Sequence, residues 1–208
     1  MLYHETQARN KGLRFVFGLD EAGRGPLAGP VVAAAVCLKT FHLKHFINDS
    51  KQMSPKAREE AFHEIFEKAY VGLGVISEAA IDMVNILNAS HMAMDMAVNH
   101  LVAGMPPEIS GQADFEGRVM LLVDGNIFRT QSTYAYKTII DGDCKSLSIA
   151  CASVIAKVYR DHILNAYDKV FPQYGFARHK GYPTEDHYTA LRKHGASMIH
   201  RKTFQGVL

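Results

Sequence analysis

Two adjacent acidic residues, Asp20 and Glu21, stand where a short apolar segment meets a glycine-rich stretch. In that segment Phe15, Phe17 and Leu19 alternate with other residues as in a strand, which predicts that Asp20 ends a sheet-forming segment. A bare carboxylate buried there is costly unless it is paired. The acidic pair is therefore either a solvated strand end or part of a cation site.

The stretch after the acids favours the cation site. It contains Gly23, Gly25 and Gly29, with Arg24 between the first two. Glycines let the backbone approach a ligand closely. The spacing Gly-x-Gly-x-x-x-Gly, followed by a second predicted strand, differs from the Gly-x-Gly-x-x-Gly turn that opens a helix in dinucleotide-binding proteins. The turn is therefore not predicted to hold a nucleotide cofactor.

Two further acids stand where a carboxylate needs a partner. Asp124 follows the apolar run 119–123, which is typical of a strand covered on both faces, and ligands gather at such strand ends in open α/β sheets. A simple Asp-Gly turn is the alternative there.

Asp161 prolongs the apolar stripe of a long helix predicted over 146–170. An ion pair with Lys157 is the alternative for Asp161, but that orientation contributes only about 0.2–0.5 kcal/mol, so we expect a cation partner.

These four residues, Asp20, Glu21, Asp124 and Asp161, predict a catalytic site made of carboxylates. Hard oxygen ligands without Cys or His favour Mg²⁺ or Mn²⁺. Two such ions can activate water and stabilise the leaving oxygen in phosphodiester hydrolysis. In an ideal strand Asp20 and Glu21 point to opposite faces, so the chain must twist there or Glu21 must contribute differently.

The run from Asp20 to Val31, Asp-Glu-Ala-Gly-Arg-Gly-Pro-Leu-Ala-Gly-Pro-Val, resembles the signature of ribonuclease HII. Further stretches resemble the same family, and they lie at 49–51, 81–87, 148–161 and 174–184. Matching motifs therefore run from about Gly18 to Thr203. The chain departs from the family pattern at Asp141, where Lys or Gly is usual, and at Cys151, where Ala is usual.

The resemblance implies the ribonuclease H-like fold, an α/β architecture with a mixed sheet flanked by helices and a helical C-terminal segment. The short turn between the first two strands predicts that they are antiparallel. We expect residues 1–208 to form a single catalytic domain, of which about 172–208 is a C-terminal substrate-binding extension. The implied activity is hydrolysis of the RNA strand of RNA/DNA hybrids and of single ribonucleotides embedded in duplex DNA.

The resemblance also implies substrate contacts. Gly23, Arg24 and Gly25 are expected to read the ribose 2′-hydroxyl, Lys51 to lie near the substrate backbone, and Tyr182 to contact the sugar after the ribonucleotide. The segment 178–202 contains six Lys or Arg residues and two acids, which suits a polyanionic partner. A merely solvated basic tail is the alternative.

The whole chain has 208 residues, of which 48% are hydrophobic and 21% charged, as in an ordinary soluble globule. Its net charge of +2 is too weak to indicate nucleic acid by itself. Three cysteines match no zinc ribbon. No stretch approaches the roughly 18 apolar residues of a membrane helix, so we expect a cytoplasmic protein without a membrane partner. Separately, we expect a monomer. The segment 105–118 is predicted to be a loop, without an assigned function.

Two alternatives stay open. Another two-metal enzyme of the same fold, such as a recombinase, would cut DNA that lacks ribose. A non-catalytic nucleic-acid-binding module would show no metal-dependent turnover. Within the resemblance, Gly23-Arg24-Gly25 instead of a lysine variant, and no large N-terminal extension, favour ribonuclease HII over ribonuclease HIII.

Overall fold

The fold comes from a computed structural model, and the structure describes residues 1–45, 47, 50 and 53–207. Lys51 lies outside the described residues, so its expected position near the substrate stays a prediction. Within the described residues, five strands form one sheet. Their bounds are β1 Phe15–Ala22, β2 Val31–Leu38, β3 Ala69–Ile76, β4 Val119–Asp124 and β5 Ala135–Ile139.

The sheet is mixed, with the strand order β3-β2-β1-β4-β5. The central strand β1 is antiparallel to β2, as predicted, and parallel to β4. The parallel register pairs Leu19 with Val123. The acids that follow, Asp20 and Asp124, therefore lie side by side at the same edge of the sheet.

Helices lie on both faces of this sheet, which confirms the predicted architecture. Their bounds are α1 Tyr3–Asn10, α2 Pro55–Lys68, α3 Glu78–Val84, α4 Ile86–Ala103, α5 Pro107–Ser110, α6 Gly142–Lys145, α7 Leu147–Val170, α8 Phe176–His179 and α9 Glu185–His194. None of the helices in the described part of the chain is long and apolar enough to cross a membrane.

The two faces of the sheet are covered differently. Helix α4 packs against side chains such as Leu19 on one face, and α7 with α2 covers the other. Gly18 of β1 touches the backbone of α7, because a Cβ added to it would lie 2.1 Å from the carbonyl carbon of Ser148. The missing side chain therefore brings α7, which carries Asp161, directly against the strand that carries Asp20.

The prediction of a loop over 105–118 is wrong in part. The segment contains α5 and a 3₁₀ turn, Glu116–Arg118. Pro107 occupies the first turn of α5, where its fixed φ favours a helix start. The prolines and glycines that predicted a loop thus delimit two short helical turns.

Candidate active site

A cavity of about 330 Å³ lies at the edge of the sheet where β1 and β4 end. Seven of the nine predicted site residues line it, namely Asp20, Glu21, Gly23, Arg24, Gly25, Asp124 and Tyr182. Ser50, Ser153 and Lys157 also contribute to the wall. The strand ends thus bring together acids that are about a hundred residues apart in sequence.

Asp20 is a buried acid, with only 6% of its surface exposed. Its Oδ1 accepts a hydrogen bond of 2.7 Å from the backbone N–H of Glu21. Burial, and then the negative charges of Glu21 and Asp124, raise the pKa of Asp20 well above its usual range, while the Ser153 hydroxyl acts in the opposite direction. Because repelling carboxylates are stabilised by a cation, the chemistry of these oxygen donors suits a hard divalent ion.

Glu21 borders the same cavity although it alternates with Asp20 along the strand. Its carboxylate is 11% exposed and lies 3.2 Å from Nη1 of Arg24, three residues further on. Burial raises the pKa of Glu21, and the charge of Arg24 acts in the opposite direction. Glu21 is therefore tied to the glycine-rich turn as well as to the acidic cavity.

Asp124 is held by the turn that follows β5. Its Oδ1 accepts a hydrogen bond of 2.7 Å from the backbone N–H of Gly142. A Cβ on Gly142 would lie 3.1 Å from the same oxygen and 2.7 Å from Cδ1 of Ile149. Gly142 thus lets the backbone come close enough to fix this carboxylate.

Asp161 contacts Lys157, the alternative partner that the sequence offered, and its expected role as a metal ligand stays a prediction. It forms an ion pair of 2.7 Å with Lys157, the partner that the sequence argument considered too weak. Both side chains are partly buried, at 17% and 21% exposure, so solvent screens the pair less than it screens an exposed helix pair. Asp161 lines a neighbouring cavity of about 470 Å³, and Lys157 borders both cavities.

The four acids are not gathered around one point. Among the described residues, no group of three or more histidine, cysteine or acidic side chains is close enough to hold one ion. Three of the predicted acids share a cavity, and the fourth lies beyond Lys157. The four carboxylates that the sequence predicted to cluster are therefore divided between two neighbouring cavities.

Sequence reasoning missed the structural role of Arg201, a buried residue that binds the main chain of the glycine-rich turn. Its buried guanidinium donates to the carbonyl oxygens of Gly23 at 2.6 Å, Arg24 at 3.1 Å, Pro26 at 2.8 Å and Gly29 at 2.9 Å. Burial lowers the pKa of Arg201 to about 9. No local pattern around this residue signals the contact, since its partners lie more than 170 residues away.

A second buried arginine, Arg160, supports the same segment. It donates to the carbonyl oxygens of Ala28 and Pro30, both at 3.0 Å, and of Lys180 at 2.9 Å. Gly23 has a φ of +99°, and a Cβ there would lie 2.1 Å from Nε of Arg160. The only sequence signal was an arginine within the apolar helix α7.

Tyr182 reaches the cavity from the C-terminal segment. It is 41% exposed, and its Cε1 would lie 3.9 Å from a Cβ added to Gly25. Its carbonyl oxygen accepts the N–H of Thr184 at 2.8 Å. The ring therefore borders the cavity beside Gly25 of the glycine-rich turn.

Known proteins resemble this chain over nearly its whole length. The family model described as Ribonuclease HII matches residues 17–207. A ribonuclease HII of Ruminiclostridium cellulolyticum is 48% identical over 205 residues, covering 98% of this chain and 75% of the relative. A ribonuclease HII of Chlorobium phaeovibrioides is 45% identical over 208 residues, covering 97% of this chain and 95% of the relative.

Solved structures share the fold at low identity. The ribonuclease H2 from Pyrococcus horikoshii OT3 has a TM-score of 0.67 at 20% identity, covering 93% of this chain and 95% of its own. Bst-RNase HIII, solved in complex with Mn²⁺, has a TM-score of 0.71 at 17% identity, covering 96% of this chain and 70% of its own. These two neighbours confirm the predicted ribonuclease H-like fold.

Proposed function

Because the chain belongs to the ribonuclease HII family and is therefore a nuclease, we propose that it hydrolyses the RNA strand of RNA/DNA hybrids and single ribonucleotides within duplex DNA. One observation supports this substrate most strongly. The cavity that contains Asp20, Glu21 and Asp124 is also bordered by the glycine-rich turn and by Tyr182. Acids that can hold metal ions thus share one space with groups that can contact a sugar.

The proposed cofactors are two Mg²⁺ or Mn²⁺ ions, held by Asp20, Glu21, Asp124 and Asp161. The structural neighbour Bst-RNase HIII was solved with Mn²⁺. The carboxylate donors and the raised pKa of Asp20 support a cation at this place. Such ions supply activation of water and stabilisation of the leaving oxygen. Lys157 contacts Oδ1 of Asp161, so Oδ2 is the oxygen through which Asp161 would contribute to the metal site.

The glycine-rich turn is proposed to read the ribose. Arg201 binds the carbonyl oxygens of Gly23 and Arg24. In a trans peptide the C=O and the next N–H point in opposite directions, so the N–H groups of Arg24 and Gly25 point away from Arg201. Neither N–H has a hydrogen-bond partner within the described residues. These two donors are available for a 2′-hydroxyl, the group that distinguishes RNA from DNA.

Tyr182 is proposed to contact the sugar that follows the ribonucleotide. A flat ring at this position accepts deoxyribose and crowds an added hydroxyl. The C-terminal segment that carries it, about 172–208, is proposed to be a substrate-binding extension of a single catalytic domain, residues 1–208. The monomeric state and the cytoplasmic location stay predictions.

The direct test uses a labelled duplex that contains one ribonucleotide, with Mg²⁺ or with a chelator. Cleavage should require both the ribonucleotide and the metal. Asp124→Asn should lower turnover by at least about a hundredfold, because a proposed ligand is lost, while the fold is kept. Near-normal turnover of that variant would contradict the metal site.

The same assay separates the two alternatives. Cutting of an all-DNA duplex of identical sequence would favour a recombinase-type enzyme. Binding without any metal-dependent cleavage would favour a non-catalytic nucleic-acid-binding module.

A further inference from the structure

A third cavity, of about 600 Å³, lies at the opposite end of the sheet from the candidate active site. It is bordered by Phe15, which begins β1, and by Arg118, which directly precedes β4. The acids of the candidate active site lie where these same strands end. Asp20 lies five positions along the strand from Phe15, a distance of about 16 Å. The two cavities are therefore separate sites.

The rim of this distal cavity is positively charged. Arg9, Arg14, Lys39 and Arg118 line it, and its described lining contains no carboxylate. Arg118 pairs with Asp114 at 2.8 Å. The other three cations form no ion pair with any carboxylate in the described part of the chain. The rim thus concentrates charge that an anion can neutralise.

The wall of the distal cavity is aromatic and apolar. Phe15 and Tyr70 contribute rings, and Nζ of Lys39 lies 4.6 Å from the centroid of the Tyr70 ring. The guanidinium carbon of Arg118 lies 5.7 Å from the centroid of Phe15. Burial raises the pKa of the Cys37 thiol to about 12, so the wall carries no negative charge at neutral pH. Cations therefore stand directly over or beside flat rings.

The segment 105–118, which the sequence left without a function, closes this cavity. Ile109, Gln112 and Arg118 all come from it. Nη2 of Arg118 donates to Gln112, while its buried Nε has no hydrogen-bond partner within the described residues. The segment thus supplies a guanidinium whose orientation is fixed by Gln112 and Asp114.

We propose that the distal cavity binds a nucleotide unit: the Lys39 ammonium turns from the Tyr70 ring to the phosphate at the cationic rim, and the base takes its place against that ring. Charge-assisted hydrogen bonds from arginine and lysine suit phosphate oxygens, and aromatic rings stack on any base. A volume of this size suits a small ligand. The unit comes either from a free nucleoside phosphate or from a single nucleic-acid strand. The site is independent of the proposed nuclease activity.

The test measures equilibrium binding of a fluorescent nucleoside triphosphate in the presence of a chelator. Without divalent metal, the acids of the candidate active site repel phosphates, and the variants below distinguish binding in the distal cavity from binding to the basic segment 178–202. Arg14→Gln and Lys39→Gln should each weaken binding by roughly tenfold, as expected for a hydrogen bond to a charged group. The matched control is Lys169→Gln, since this exposed lysine near the end of α7 lines neither cavity and should leave affinity unchanged.

The ring contribution separates a nucleotide from a simple anion. Tyr70→Leu should weaken binding of the nucleotide but not of inorganic triphosphate, and Tyr70→Phe should retain both. A labelled trinucleotide, titrated in parallel, identifies whether the strand or the free nucleotide binds more tightly. If Tyr70→Leu does not fold, the comparison of Lys39→Gln with Lys169→Gln decides whether the nucleotide binds in the distal cavity. Absence of saturable binding, equal weakening by Lys169→Gln, or equal affinity for inorganic triphosphate would overturn the proposal.

Discussion

Arg201 directs four hydrogen bonds to main-chain carbonyls of one short turn, and none of its described contacts is an ion pair. A planar guanidinium can do this because its N–H groups diverge in a fixed fork, whereas an ammonium group is a compact point. The turn it holds contains Gly23 and Gly25, which border the candidate active site. Arg201 is therefore a positioning residue for the proposed ribose contact.

Replacing Arg201 by Lys should keep the charge but leave carbonyl oxygens unpaired. We expect the free energy of unfolding to fall by about 1–3 kcal/mol. We also expect kcat/KM on a single-ribonucleotide duplex to fall by at least about tenfold, since the turn shifts relative to the acids. Separate measurement of kcat and KM checks this, with Arg192→Lys as the control at an exposed ion pair. Loss of stability with unchanged kinetics would contradict the positioning role.

Tyr182→Ala should impair cleavage of a single-ribonucleotide duplex more than cleavage of a continuous RNA/DNA hybrid. The ring is exposed and borders the cavity, and base or sugar contacts to an aromatic ring are worth roughly ten- to a hundredfold. Tyr182→Phe retains the ring and serves as the control. Equal losses on both substrates would show that Tyr182 only supports the fold, and unchanged rates would remove it from the site.

At the scale of elements, the strands and the long helix were predictable because their patterns are local. β4 is a continuous apolar run, and α7 begins at Leu147 after Ser146, whose hydroxyl accepts the N–H of Ile149. Helix α1 was not predicted, since its own sequence is polar. It is held through buried Glu5, whose Oε1 accepts hydrogen bonds from Ser146 and Ser148, more than 140 residues away.

The candidate site was predictable to a similar extent. Strand-end acids follow from sequence pattern, so Asp20 and Asp124 were found. The ion pair of Asp161 with Lys157 was considered too weak from its orientation on the helix, because sequence cannot show how far burial reduces screening. The supporting roles of Arg160 and Arg201 could not be predicted for another reason. Their partners are main-chain carbonyl oxygens, which every residue possesses, so no residue type in the sequence indicates the contact.

Gly18→Ala should destabilise the protein strongly, because its Cβ would collide with the α7 backbone at Ser148. Overpacking of this kind costs about 1–3 kcal/mol or more when backbone must move. Gly25→Ala is the matched control, since its Cβ would meet only Tyr182 at 3.9 Å. Urea unfolding of both variants checks the difference. Equal midpoints would show that α7 can move away from β1 without loss.

At the scale of the whole molecule, the C-terminal segment forms a separate apolar layer against α7 and the glycine-rich turn. Phe176 and Leu191 pack with Leu27 and Leu164, which links this segment to the glycine-rich turn and to α7. A histidine pair lies inside that layer, with Nε2 of His187 3.0 Å from Nε2 of His200. One ring must donate and the other accept, so the pair is stable only while at least one ring is neutral.

This pair makes the stability of the molecule depend on pH. Burial, and then the neighbouring His187, lower the pKa of His200 from 6.5 to about 4, and burial lowers that of His187. The unfolded chain therefore binds more protons than the folded chain below about pH 6.5. Stability should be fully present above that pH and decrease as pH falls towards about 4.

Urea unfolding between pH 7.5 and pH 4.5 measures this dependence. His200→Gln should flatten it, because glutamine does not titrate and can still accept the N–H of Ser197, which the His200 ring accepts at 2.9 Å. The control is His63→Gln, at an exposed position on α2. Since the layer supports Tyr182 and Arg201, its loosening in acid should expose the glycine-rich turn to proteolysis before the sheet unfolds. An unchanged pH slope in His200→Gln would assign the acid sensitivity to other groups.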